Sequence, residues 1–471
     1  MSQEKVRKIH EATMRILERT GMKFIHPDSQ KILKENGIRM EGDVAFFTED
    51  QIMKWVKMAP SEFAVRAINP ENDIVIGGDN VVNGVTIVTS VMERDGTERP
   101  ASIADYVKLL KLYESYENLG VQGGLTVEPA EIPVYWKDVV MNYITLCHSE
   151  KALYSAGGNY EQMEAVIEMT RTRFGMTVEE MMKQPIILGL ANTNSPLILD
   201  KEMVETILTF AKYRQPIIIA SAAMAGTTAP VTIAGTIAIT NAEVIATIAM
   251  TQMFAPGTPV LYGSQSTVAD MRTGGIAIGA AESALCAKYC AKMAKFYGLP
   301  CRGGGALTDA KAFDPQAAFE GTLTYYACAD NKMNLILHAA GVMNGYLSMS
   351  FEKVVMDFEI INYVNRYLGD IEVNEETVPE DVIHEVGHAN HFLMEDHTLE
   401  YCRVDPLEVH LPARGVQPDP KTFYHNIDRR IQELVDAYTK PEVPPERQEA
   451  MRNIMRARGI AEDVITKCDA E

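Results

Sequence analysis

Three stretches of this 471-residue chain carry side chains whose types and spacing could do chemistry. His384-Glu385-Val386-Gly387-His388 has the HExxH spacing. On one continuous helix, histidines four residues apart share a face and can hold zinc while the glutamate acts as general base. Glu408 is an available third ligand, so a zinc-dependent hydrolase built on His384, Glu385 and His388 is one reading. Against it, Gly387 stands inside the helix that must hold the ligands. The extended HExxHxxGxxH form also fails, because His391 replaces its glycine and Met394 its last histidine. The other two stretches end short apolar runs. Arg302 precedes Gly303-Gly304-Gly305, and His338 closes Asn334-Leu335-Ile336-Leu337-His338. A guanidinium can grip a carboxylate with two parallel hydrogen bonds, and bare glycine backbone beside it lets a ligand approach.

The elements that would position these residues follow a regular rhythm. From residue 83 onward, short apolar runs alternate with helical stretches: Val85–Thr89, Leu119–Gly123, Ala152–Ala156, Ile186–Leu190, Ile217–Ser221, Val260–Gly263, Pro300–Gly303 and Leu335–His338. Eight βα units predict an α/β fold, a (β/α)8 TIM barrel, whose strand C-termini carry the active site. Arg302 and His338 would then lie on one face with Asn192, Gln265 and Asp309. Residues 1–82 mix short strands with helices over 2–20, 28–36 and 48–58, and read as an N-terminal α/β appendage. The barrel is assigned 83–402. Residues 403–471, with helices expected over 421–438 and 445–458, read as a C-terminal helical extension packing on the barrel or on a second subunit.

Composition narrows the partners. A formal charge of −20 disfavours nucleic acid and anionic membranes. The seven cysteines are scattered, with no CxxC pair, which fits reduced thiols in a cytoplasm. The stretch from Gln215 to Ala242 has no charged residue and is long enough to span a bilayer, but Pro216, Gly226, Pro230 and Gly235 interrupt it. A buried strand, a small-residue loop and a core helix fit better than a membrane span.

The motifs Thr258-Pro259-Val260-Leu261-Tyr262-Gly263, Ala269-Asp270-Met271-Arg272-Thr273-Gly274, Gly298-Leu299-Pro300 and Thr308-Asp309-Ala310-Lys311 stand in order along the chain. With Ser350-Phe351-Glu352-Lys353, His391-Phe392-Leu393 and His397-Thr398-Leu399, they resemble the trimethylamine methyltransferase family, over a span from the first helix to about residue 430. Founding members of that family carry pyrrolysine, whereas every position here is one of the standard twenty residues. The chain therefore looks like the non-pyrrolysine branch, which the resemblance links to quaternary amines such as glycine betaine or proline betaine. His388-Ala389-Asn390 departs from the glycine-rich stretch expected there, so the HExxH looks like local drift and no metal is expected.

The resemblance implies a methyl transfer whose acceptor is cob(I)alamin on a partner corrinoid protein, with no tightly bound cofactor on this chain, and a homo-oligomer in the cytoplasm. A quaternary ammonium already carries its positive charge, so its amine is a fair leaving group without further activation. Such a pocket needs aromatic faces for the methylated nitrogen. Tyr154 and Tyr262 at strand ends, and Tyr135 and Trp136 on the loop after the second strand, are the candidates. It also needs a clamp for a carboxylate, for which Arg302 is the first choice, with His338 as second contact and candidate catalytic residue. Asn192, Gln265 and Asp309 complete the expected substrate-binding set.

Overall fold

The computed structural model describes residues 2–86, 88–124, 126–416 and 419–470. Eight short strands run parallel in one sheet: β1 (Val82–Asn83), β2 (Val121–Gly123), β3 (Ala152–Ser155), β4 (Ile187–Asn192), β5 (Ile217–Ser221), β6 (Val260–Ser264), β7 (Cys301–Gly303) and β8 (Leu335–Ile336). Each is followed by a helix: α1 (Ile103–Glu114), α2 (Lys137–His148), α3 (Tyr160–Phe174), α4 (Lys201–Lys212), α5 (Ile233–Phe254), α6 (Ala281–Tyr297), α7 (Pro315–Asp330) and α8 (Phe351–Leu368). Sequential strands are neighbours, β8 pairs with β1, and a parallel bridge between Gly84 and Val121 closes the ring. The chain is a TIM barrel.

Local chemistry sets the element ends. Asn159 caps α3 in a reciprocal capping box with Gln162, and Asp314 accepts from the first turn of α7 with Pro315 at its start. Gly175 and Gly298 stop α3 and α6 in the left-handed conformation that a side chain disfavours. The central strands are rich in β-branched residues and buried on both faces, as a parallel sheet between a core and a helical layer requires.

One strand lies earlier than its apolar run. The first barrel strand is Val82–Asn83, and the run Val85–Thr89, of which Ile87 lies outside the described residues, sits beyond it at the mouth. The shift follows from pairing: β8 ends at Ile336, so the ladder with Val82 and Asn83 ends there too. Val85 instead accepts from the His338 amide at 2.9 Å.

The charge-free stretch resolves into β5, a loop and the start of α5. That 22-residue helix is apolar and long enough to cross a membrane by composition, yet it packs inside the protein. Its Asn241 and Glu243 are fully buried and hydrogen-bonded. Asn241 meets Thr13 and Tyr297, and Glu243 takes Thr193, Ser195, Ser221 and the Leu197 amide.

The flanking segments are knitted onto this barrel. The N-terminal helix Ser2–Arg19 lies against α5, with Thr13 donating to the Ala238 carbonyl and His10 bonded to Tyr297. Strand Met22–Phe24 pairs in parallel with Ile198–Leu199, which belongs to the loop after β4. At the other end, helices Thr422–Ala437 and Pro445–Ala457 are followed by a third, Glu462–Ala470, that the apolar pattern does not announce. Arg458 pairs with Glu168 of α3, and Tyr438 donates to the His148 carbonyl of α2.

Candidate active site at the mouth of the barrel

Strand parity decides which side chains enter the barrel. Tyr262 pairs with Cys301 and Gly263 with Arg302. The Tyr262 hydroxyl donates to Asn241 of α5 and its ring stacks on Tyr297 of α6, so the Tyr262–Cys301 row faces the helices. Because successive side chains alternate, the Gly263–Arg302 row faces the interior. Following the register, Asn192 pairs with Ala220 and Ala220 with Gly263. Asn192, Ala220, Gly263 and Arg302 thus form one inward row across β4 to β7. Its two middle members have almost no side chain, which leaves room between the outer two. A Cβ on Gly263 would stand 2.7 Å from that of Ala220, so this position on the row takes no side chain.

Arg302 is sealed from solvent at 1% exposure, and this number matters because the guanidinium has no carboxylate partner among the described residues. Its Nη2 donates to His338 Nε2 at 3.2 Å, while Nε and Nη1 have no hydrogen-bond partner. Burial lowers the pKa of the group below its ordinary value, with the nearby Tyr154 and Tyr346 phenols opposing the shift. An unpaired buried charge costs several kcal/mol, by about the desolvation that nothing repays. A ligand anion would repay it.

His338 is held neutral. Its Nε2 accepts from Arg302, which leaves the ring proton on Nδ1. Burial and then the Arg302 charge push its pKa well below the ordinary range. Its backbone sits at φ 58, Asn344 at φ 48 and Tyr346 at φ 71. Three non-glycine residues in the left-handed region within nine positions mark a strained segment, as functional sites often carry.

Tyr346 and Asp138, which no sequence signal singled out, belong to the same mouth. Strands Val342–Met343 and Ser348–Met349 form a hairpin whose tip presents Tyr346, 4.9 Å from the His338 ring between centroids. Gln265 donates to the Tyr346 hydroxyl at 2.8 Å. Tyr154, on β3, is fully buried, its hydroxyl has no hydrogen-bond partner, and burial raises its pKa. The charges of Arg302 and Asp138 act on it in opposite senses. Asp138 stands in the first turn of α2, where helix N-termini meet the strand C-termini. Burial and the Glu128 carboxylate push it up to about 7.

The remaining expected residues divide. Arg302 bonds His338, Tyr346 joins His338 to Gln265, Tyr154 feels the Arg302 charge, and exposed Asn192 lies on the row of Arg302. Tyr262 points away from them. Asp309 is engaged elsewhere: its two oxygens accept from the Ile278 and Gly279 amides at 3.0 and 2.9 Å, which fixes the loop before α6. Trp136 is half-buried on the 3-10 turn before α2, edge-on to Tyr135. Tyr135 is exposed and bonded to Glu161 and Asn159 at the start of α3, so it ties loop to helix. The three glycines after Arg302 serve packing. A Cβ on Gly304 would meet the Gln265 amide at 2.7 Å, and one on Gly305 the His338 carbonyl at 2.6 Å.

The HExxH reading does not survive the backbone. The helix over Glu380–Val386 ends at Gly387, whose φ of 61 and ψ of −146 turn the chain before His388. His384 and His388 are therefore not on successive turns of one helix. No group of three metal-binding side chains occurs among the described residues.

The family model described as trimethylamine methyltransferase matches residues 1–461. The chain belongs to the trimethylamine methyltransferase family. Its relatives include a glycine betaine methyltransferase of Desulfitobacterium hafniense (strain Y51), 34% identical over 98% of this chain and 97% of that one. A trimethylamine methyltransferase of Methanosarcina mazei is 30% identical over 83% of this chain and 80% of its own. Among solved structures, the monomethylamine methyltransferase of Methanosarcina barkeri superposes with a TM-score of 0.50 at 11% identity, covering 97% of this chain and 98% of that one, which shows a shared fold. As a member of this family the chain is a methyltransferase, and the inward row described above stands at the end of the barrel where such an enzyme works.

Proposed function

We propose that this methyltransferase takes its methyl group from a small quaternary amine of the betaine type, such as glycine betaine or proline betaine, and delivers it to the Co(I) of a cobalamin on a partner corrinoid protein. The observation that carries the reading is Arg302: a guanidinium sealed in the barrel, with Nε and Nη1 unpaired. A betaine brings a carboxylate to it, whereas trimethylamine brings none. The relatedness to a glycine betaine methyltransferase over nearly the whole chain supports the same choice.

The residues would act by orientation and desolvation. Arg302 binds the carboxylate, and neutral His338 accepts from Nη2 and fixes the guanidinium's plane. The rings of Tyr154 and Tyr346 face the methylated nitrogen, each worth about 0.5–2 kcal/mol. Cob(I)alamin is a strong nucleophile, so no general base is needed. The carbon–nitrogen bond breaks as the carbon–cobalt bond forms, and the amine leaves with the electron pair. Holding the methyl group in line with the metal supplies the rate. A homo-oligomer in the cytoplasm, encountering the corrinoid protein at the barrel mouth, fits this chemistry.

The test is to incubate the enzyme with free cob(I)alamin and each of a panel of N-methylated amines, following the spectral change to methylcob(III)alamin. Transfer from betaines supports the reading; transfer from none of the panel refutes it.

A further inference from the structure

Asp138, in the first turn of α2, carries a buried oxygen without a partner. Its Oδ1 is shut from solvent and has no hydrogen-bond donor. Among the described residues no lysine, arginine or histidine forms an ion pair with it, and the adjacent Lys137 is taken by Glu128. An ordinary first-turn aspartate caps its helix or faces water, so a shut, donorless oxygen needs another explanation.

The ring of Tyr154 senses both ends of the problem, since Arg302 lowers its pKa and Asp138 raises it. A carboxylate and a guanidinium that both act on one buried phenol are nevertheless not paired with each other. Something bearing both opposite charges would satisfy the two at once. The missing donor is informative too. A quaternary ammonium has no N–H to give, so a carboxylate facing its methyl groups gains Coulomb attraction without forming a hydrogen bond.

We infer that Asp138 is the counter-charge for the ammonium end of the substrate, so that Asp138 and Arg302 hold a zwitterion between them along the ring of Tyr154. This rests on the betaine reading above and deepens it. The site then selects its substrate by two charges at a fixed separation, which neither trimethylamine nor a simple carboxylate supplies.

The charges acting on Asp138 are Glu128 on the preceding loop and Lys137 beside it, its own charge reaches Tyr106 on α1 and Tyr154 on β3, and Arg302 acts on Tyr154 as well. The carboxyl is pushed up to about 7, by burial first and Glu128 second. A bound cation favours the ionised form, so affinity for the cationic ligand should rise with pH through this range.

Calorimetric titration of the purified full-length chain, with no corrinoid present, tests this with a matched pair of ligands. Glycine betaine and 3,3-dimethylbutanoate have the same shape and carboxylate, and differ only in the charged nitrogen. The wild type should bind the betaine at least about 10-fold more tightly at pH 8, an order-of-magnitude expectation for one buried counter-charge. Asp138→Asn should bring that ratio close to one, and Asp138→Glu should restore part of it. An unchanged ratio in Asp138→Asn overturns the inference and leaves the betaine reading standing, as does equal binding of both ligands by the wild type. Binding of neither ligand by the wild type overturns both. If Asp138→Asn does not fold, the wild-type ratio decides. It should fall as pH drops from 8 to 5.5, and a constant ratio over that range overturns the inference.

Discussion

Arg302 Nη2 lies 3.2 Å from His338 Nε2, inside a barrel where no carboxylate among the described residues answers the guanidinium. The contact fixes both protonation states: a guanidinium donates, so the imidazole must accept and be neutral. It also leaves Nε and Nη1 of Arg302 without partners, which is costly until an anion arrives.

Function and stability should therefore move in opposite directions when Arg302 is replaced. Arg302→Met removes an unpaired buried charge and should raise the melting temperature of the ligand-free protein, by about 1–3 kcal/mol of stability. It should also weaken glycine betaine by about 2–5 kcal/mol, the scale for truncating one partner of a buried charge pair. Thermal melts with and without betaine read both. A variant less stable than the wild type but still fully competent for betaine would assign Arg302 a structural role.

Tyr154 offers a similar separation of roles. Tyr154→Phe keeps the ring and deletes a buried hydroxyl that has no partner, so it should be neutral or stabilising by up to about 1 kcal/mol. Betaine affinity should change little. Tyr154→Leu removes the π face and should cost about 0.5–2 kcal/mol of affinity for the quaternary nitrogen. Equal losses in both variants would point to the hydroxyl instead.

The buried histidines predict a pH dependence of stability. His338 is pushed well below the ordinary histidine range, and His148 down to about 3, by burial in both cases. Each takes up protons more readily when unfolded. Their contribution is complete above the unfolded pKa near 6.5 and is lost as pH falls below it. Denaturant unfolding from pH 7.5 to pH 4.5 should show stability declining with acid, and His338→Gln should show a shallower decline. Parallel curves would mean that the fold does not shift the His338 pKa from its unfolded value.

The HExxH should be dispensable. With Gly387 ending the helix between them, His384→Ala and His388→Ala together should leave methyl transfer and bound zinc unchanged. Stoichiometric zinc that disappears in the double variant, together with activity, would restore the hydrolase reading.

The barrel was legible because its strands are short apolar runs alternating with helical stretches, a pattern that survives without any tertiary information. Facing was not legible. In a parallel barrel both strand faces are buried, so the alternation of apolar and polar residues that normally phases a strand is missing. Tyr262 and Arg302 stand mid-way along adjacent strands and look equally placed in sequence. Only the pairing of Tyr262 with Cys301 and of Gly263 with Arg302 shows that they face opposite ways. Tyr346 and Asp138 escaped for a different reason: they come from a hairpin tip and a helix start, with no motif around them. Asp309 was recognised as a polar residue of the right face, but its oxygens are consumed by two backbone amides.

The most direct test compares glycine betaine with trimethylamine as methyl donors to free cob(I)alamin, at equal concentrations and one pH, by the rate of methylcob(III)alamin formation. The carboxylate clamp predicts a rate from betaine at least about 100-fold higher, the scale of one buried charge-assisted pair. Comparable rates from the two, or a preference for trimethylamine, would contradict it.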